Sequence, residues 1–252
     1  MLIREACDAL REAAECLLRA VDGIPAKADE VAQTYYIRQQ ARSIAAVAAD
    51  VHLLITNSRL QNVVGLCRVA FESRIGIYAA MRVPDFAAQK LLAQAQGNVR
   101  ELEEVAQDAA NQEVFQQALA HHRRFLQQVR QDYAGVTERT WKIREAAEAA
   151  GLQDDYNEHY SMLSKAAHNT PTGLAAKTDP HIVASSVLVL LHDTLQALAA
   201  LMFFRERDDT RAQPITEAWK EMSPLLDSLL SRYGQMCSRM NELFTTFAAD
   251  QL

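Results

Sequence analysis

Turn formers are scarce in this chain. Its 252 residues include 8 glycines and 6 prolines, about 6% together, against roughly 12% in an average protein. That shortage excludes a turn-rich all-β fold. Four cysteines, at 7, 16, 67 and 237, include no C-x-x-C pair and no Cys/His set at zinc spacing, so they read as reduced, mostly buried thiols. The first residues, Met1 to Ala6, mix acid and base at once. They offer no apolar signal segment, and a cytoplasmic location is expected. A basic excess is lacking too: 26 Lys and Arg face 32 Asp and Glu, a formal charge of −6, which argues against a surface that coats nucleic acid. Hydrophobic residues, at 49%, are ample for a core and exclude wholesale disorder. The most apolar stretch, 183–204, is interrupted by Ser185, Ser186, His192, Asp193, Thr194 and Gln196. It is expected to be a buried core helix and not a membrane span.

The few breakers fall where helical periodicity stops. A first helix is expected to end at Asp22-Gly23-Ile24-Pro25, and a second to span 28–56 up to Asn57-Ser58. A third, 59–81, is apolar around most of its circumference and stops before Pro84, because the residue preceding a proline avoids the helical region. Residues 85–133 are richer in Gln and Glu and suggest two exposed helices broken near Gly97 or Asn111. A sixth helix is expected over 137–150 and stops at Gly151. A seventh runs over 154–168, ahead of the loop Asn169-Thr170-Pro171-Thr172-Gly173. Asp179-Pro180 supplies an N-cap followed by a proline at the first helical position of the eighth.

In the last third, Ile215, Trp219, Met222, Leu226, Leu229, Tyr233, Met236, Met240, Leu243 and Phe247 keep four-three spacing, as do Val183, Val187, Leu190, Thr194, Ala197, Leu201 and Phe204 before them. The short polar link from Arg205 to Pro214 folds the two into an antiparallel hairpin over 180–250. The seam either stays within the chain or also serves a homodimer. Pro224 should kink the last helix, or restart it after Ser223 as N-cap. The fold class expected is all-α: one domain over 1–252, a helical bundle of about eight or nine helices, with a polar cluster inside 58–173.

Two segments carry candidate chemistry. In the third helix Arg68 and Glu72 are four apart on a face shared with Val64, Phe71 and Ile75. Charge inside an apolar stripe is either an ion pair that fixes register or a polar site held within the bundle. In the seventh, Tyr156, Tyr160, Ser164 and His168 recur every four residues and share a row, with Lys165 beside it. His168 sits in the last turn, where the helix dipole favours its protonated form. Either His168 caps a helix whose tyrosines are core, or the row faces Arg68 and Glu72 and makes a cluster able to bind an anion or move a proton. The catalytic candidates are Arg68, Glu72 and His168, and the ligand-binding candidates Tyr156, Tyr160, Ser164 and Lys165.

With Trp141 between them, these residues resemble a group of bacterial all-α proteins of uncharacterised function. Its members pair an Arg-x-x-x-Glu helix with a later Trp and a Tyr-x-x-x-Tyr-x-x-Leu-Ser-x-x-x-His segment, matched here by Arg68, Glu72, Trp141, Tyr156, Tyr160, Leu163, Ser164 and His168. More distantly the chain resembles the HEPN helical domains. That resemblance implies a place in a bacterial stress, toxin–antitoxin or phage-defence system and, for some members, metal-independent RNA cleavage. Cleaving members place four to six residues between an Arg and a following His. No histidine here is so placed, and a ribonuclease would have to borrow Arg68 to hold the phosphate while His168 acts as acid or base.

No metal is expected, since a di-iron bundle needs Glu-x-x-His twice and Asp155 with His159 stands alone. No cofactor is expected either: there is no Gly-rich phosphate loop and no nucleophile elbow. One basic stretch, with Arg123, Arg124, Arg130, Arg139, Lys142 and Arg144 interleaved with Phe125, Tyr133 and Trp141, is either a solvated face or a weak RNA patch. The expected function is a binding module for a protein partner or small anionic ligand, without a membrane role. The alternative is a HEPN-like endoribonuclease effector.

Overall fold

The computed structural model describes residues 2–22, 32–108, 112–167, 179–206 and 213–249. Among them every regular element is helical and there is no strand. The first five helices are α1 (Leu2–Asp22), α2 (Ala32–Thr56), α3 (Val63–Arg82), α4 (Phe86–Asp108) and α5 (Gln112–Asp132). They are followed by α6 (Ile143–Ala150) and by α7, which runs through Gln153–Asp155, a π-helical Tyr156–Tyr160 and Ser161–Ala167. Last come α8 (Pro180–Glu206) and α9 (Gln213–Ala249).

The expected boundaries hold where local chemistry sets them. Val83 is extended (φ −107°, ψ 119°) ahead of Pro84 and ends α3. Asp179 Oδ1 accepts from the backbone N–H of His181 at 2.8 Å and of Ile182 at 3.4 Å, which caps α8 with Pro180 in its first turn. Gly151 adopts the left-handed conformation (φ 68°) that closes α6.

Elsewhere the chain differs. A 3-10 turn, Leu60–Asn62, precedes α3, and Ser58 turns the backbone with φ 57°. Gly97 does not break the chain but sits inside α4, which ends at Asp108, and α5 begins at Gln112; the other expected break, Asn111, lies outside the described residues. Residues 136–142 are not helical, so α6 starts six residues later than expected from 137. This non-helical stretch carries Trp141 into the core, where its ring centroid lies 5.1 Å from that of Phe86. Helix α9 passes through Pro224 without a restart at Ser223.

Helix α3 is central, as its apolar circumference requires. It packs against α2, α6, α7 and α8, and Val64, Cys67, Phe71, Ile75 and Ile77 are fully buried. Helix α8 lies beside it and α1. Of all the described helices only α8, over His181–Leu201, is long and apolar enough to cross a membrane, and 67% of that stretch is buried inside the bundle. Helix α9 packs on α8 and on α1. Leu226, Leu229, Met236 and Met240 face inward in the expected register, while Arg232 and Arg239 pair with Glu12 and Glu5 of α1. Side chains of Ile215, Trp219, Met222, Leu243 and Phe247 lie outside the described residues. Helices α4 and α5 form a second hairpin around Ala95, Val99, Leu119 and Leu126.

One close approach fixes how α2 meets α3. A Cβ placed on Gly76 would lie 2.8 Å from the Tyr36 hydroxyl, and the Tyr36 ring is itself held edge-on to Phe86 at 5.9 Å. Overpacking costs about 1–3 kcal/mol, whereas exchanging a helical Gly for Ala gains up to about 1 kcal/mol. In urea unfolding, Gly76→Ala should therefore destabilise the parent chain. In a Tyr36→Phe background, where the next ring atom lies 3.4 Å away, it should be neutral or stabilising. Equal cost in both backgrounds would contradict this packing.

Candidate functional site

Arg68 and Glu72 stand one turn apart on α3 and meet Tyr160 of α7. Arg68 Nε donates to Glu72 Oε1 at 2.8 Å and Arg68 Nη2 to the Tyr160 hydroxyl at 2.9 Å, while that hydroxyl donates to Glu72 Oε1 at 3.2 Å. The guanidinium carbon lies 5.2 Å from the Tyr160 ring centroid. The three groups close a hydrogen-bonded triangle, in which the Glu72 hydrogen bond raises the Arg68 pKa and burial raises that of Tyr160. Tyr156 stacks on Tyr160 with centroids 4.6 Å apart, the neighbour relation expected of residues in one row.

The π turn explains how α7 reaches α3 twice. In an α-helix, residues 155 and 160 would point about 140° apart. The wider i→i+5 turn at Tyr156–Tyr160 brings them closer to one face, and Asp155 then reaches Arg74 on α3 at 2.7 Å while Tyr160 reaches Arg68.

The triangle lines a cleft of about 420 Å³ together with Tyr36, Gln40, Lys90 and Trp141. Trp141 Nε1 donates to Gln89 Oε1 at 2.7 Å, and its backbone carbonyl accepts from Lys90 Nζ at 3.3 Å. Burial lowers the Lys90 pKa, partly offset by Glu72. Two cations thus share the cleft with one carboxylate.

Of the remaining candidates, Ser164 is half-buried on α7 and does not line the cleft. His168 and the side chain of Lys165 lie outside the described residues. The basic stretch is largely paired: Arg123 meets Glu103 at 2.7 Å, Arg130 meets Glu138 at 3.5 Å and Arg144 meets Glu148 at 3.2 Å, while Arg124 and Lys142 are exposed. Among the described residues no group of three or more His, Cys, Asp or Glu side chains is placed to hold a metal ion. Cys7, Cys16 and Cys67 are buried, Cys237 is half-buried, and all four are free thiols.

Sequence reasoning missed Lys90, whose role depends on a backbone carbonyl 51 residues away, and it missed a buried ionic centre. Arg74, 2% exposed, lies between Asp155 on α7 and Asp193 on α8. Its Nε approaches Asp193 Oδ1 at 2.8 Å, and Asp193 is fully buried. That approach is an ion pair without hydrogen-bond alignment, since neither Asp193 oxygen has a protein donor. Burial raises the Asp193 pKa to about 7 against the pull of Arg74. Its neighbour His192 is lowered to about 4, by burial first and then by Arg74. Tyr78 donates to Gln196 Oε1 at 2.6 Å, and Gln196 Nε2 donates to His192 Nε2 at 3.3 Å, a contact that suits the neutral imidazole.

The two shifts oppose each other. Between about pH 4 and 7 folded Asp193 holds a proton that the unfolded chain has lost, so its contribution to stability falls as pH rises. Between about pH 4 and 6.5 folded His192 lacks a proton that the unfolded chain holds, so its contribution rises. Relative to the parent chain, His192→Gln should make stability fall more steeply from pH 4 to 7, and Asp193→Asn should make it rise more steeply from pH 4 to 6.5. Urea midpoints across that range check both slopes, and parallel profiles for all three proteins would contradict them.

No curated protein and no solved structure matches the chain. Residues 34–181, running from α2 to the first turn of α8 and containing every residue that lines the cleft, match the model of a family of unknown function. The chain belongs to that family, DUF5677.

Proposed function

We propose that this protein is a binding module whose cleft between α2, α3, α4 and α7 takes a small anionic group. The observation that carries this reading is Lys90: a half-buried ammonium, its pKa lowered by burial, whose hydrogen bond goes to a neutral carbonyl at 3.3 Å. Arg68 stands across the same cleft, already oriented by Glu72 and Tyr160. An anion between them would restore the charge balance that burial disturbs and would gain charge-assisted hydrogen bonds. Pre-oriented donors lose little side-chain freedom on binding, which favours affinity.

The second reading, a metal-independent endoribonuclease effector using Arg68, Glu72 and His168, draws support from the Arg68 guanidinium, 27% exposed beside the cleft where a phosphate could reach it. Among the described residues no histidine lines that cleft, and the binding reading is preferred. A place in a bacterial stress or phage-defence system follows from the HEPN resemblance alone. An effector should arrest growth and lose that effect in His168→Ala, whereas a binding module should be tolerated on expression.

Trp141 gives the anion site its own reporter. In a Trp219→Phe background, titration with acetate or inorganic phosphate should change Trp141 fluorescence saturably. Lys90→Met should weaken that response about tenfold, the ~1.4 kcal/mol expected of a hydrogen bond to a charged group. Affinity should fall as pH rises through the lowered Lys90 pKa, earlier than an ordinary lysine would require. An unresponsive Trp141, or unchanged affinity in Lys90→Met, would refute the reading.

A further inference from the structure

The anion cleft does not end at Gln40. A second cleft of about 260 Å³ shares Tyr36 and Gln40 with it and continues between α2 and α4 towards Phe125 of α5. Lys90, Gln94 and Asn98 follow at four-residue spacing on α4 and so form one row along the groove, about 12 Å from the first to the last. Opposite them, α2 presents Gln39 and Gln40. Among the described residues none of these four side-chain amides has a hydrogen-bond partner, although each carries two donors and an acceptor. Tyr35 and Phe125, 40% and 45% exposed, add aromatic surface at the far end.

On the anion-binding reading above, we infer that the composite groove binds the C-terminal residues of a polypeptide, with the terminal carboxylate at Lys90 and Arg68 and the preceding peptide groups along the amides. Charge selects the head group. Arg68 and Lys90 against Glu72 leave one net positive charge, which a carboxylate balances, whereas a phosphoryl group of about −1.5 to −2 would leave an excess beside Glu72. Length selects the body, since 12 Å accommodates about three or four extended residues at roughly 3.3 Å each. Free amides that both donate and accept match successive peptide groups, and the Tyr35 and Phe125 rings offer an apolar seat for one side chain. Capture of a terminal carboxylate is an established mode of peptide recognition.

The test uses the full isotope-labelled chain and follows the side-chain amide signals of Gln39, Gln94 and Asn98 by NMR. The probes are a mixed-sequence pool of acetylated tetrapeptides with free C-terminal carboxylates, the same pool amidated, acetate, and a nucleoside monophosphate. The free-acid pool should shift these signals and bind at least tenfold more tightly than the amidated pool, and Lys90→Met should erase that difference. The double variant Gln94→Ala with Asn98→Ala should weaken the free-acid pool at least threefold while leaving acetate binding unchanged. If the pool binds no more tightly than acetate, the peptide inference fails and the anion site stands. If neither binds, both fail. A nucleoside monophosphate that shifts the same amides more tightly than the pool overturns the assignment in favour of a phosphorylated heterocycle.

Discussion

A guanidinium that is 2% exposed in the middle of a helical bundle constrains everything around it. Arg74 cannot shed its proton, and burying its charge would be prohibitive without a counter-charge. Asp155 supplies one from α7, and Asp193 another from α8 once it ionises above about pH 7. The ion thus joins three helices and allows α3 little rotation about its axis. That rotation also sets where Arg68 points. Six residues earlier on α3, its side chain projects about 120° away from that of Arg74, towards α7 and the cleft and away from α8. The buried charge and the cleft charge are two consequences of one helix orientation.

Helix α7 is held by both arginines, and the π turn is the backbone feature that allows it. Asp155 and Tyr160 flank or end that turn and reach different arginines of the same helix. The cleft's other wall depends on a departure from helix: residues 136–142 run without helical structure, so that Trp141 can enter the core against Phe86 and offer its carbonyl to Lys90. Both features are local distortions that bulk packing makes affordable, since Trp141, Phe86 and Leu163 lie in the continuous core around α3.

What could be read from the sequence is what local chemistry dictates. Asp179-Pro180, Val83-Pro84 and Gly151 each announce a helix end through their own backbone preferences, and the inward residues of α8 and α9 announce themselves by spacing. The Arg68–Glu72 pair was visible for the same reason, being four apart on one helix, and Tyr160 through its row. The ionic centre was only half visible. Asp193 stood out as a carboxylate inside an apolar helix, but its partner Arg74 lies 119 residues earlier, and no periodicity links the two. Lys90, Gln94 and Asn98 were hidden in a Gln- and Glu-rich stretch whose composition reads as solvated surface, because the groove that gives them meaning forms only when α4 docks on α2. The π turn has no recognised residue signature, and the late start of α6 reflects tertiary capture of Trp141 overriding helical periodicity.

If Arg74 is what orients α3, its energetic link to Asp193 is the quantity to measure. Removing one member of a buried ion pair strands the other and costs about 3–5 kcal/mol, whereas replacing both by apolar groups can be close to neutral. Equilibrium unfolding of Arg74→Met, Asp193→Leu and the double variant at about pH 8.5, where Asp193 is ionised, closes the cycle. Either single change should destabilise the fold by several kcal/mol, and the double variant should recover most of the loss. Additive losses, with the double variant less stable than either single, would contradict this coupling.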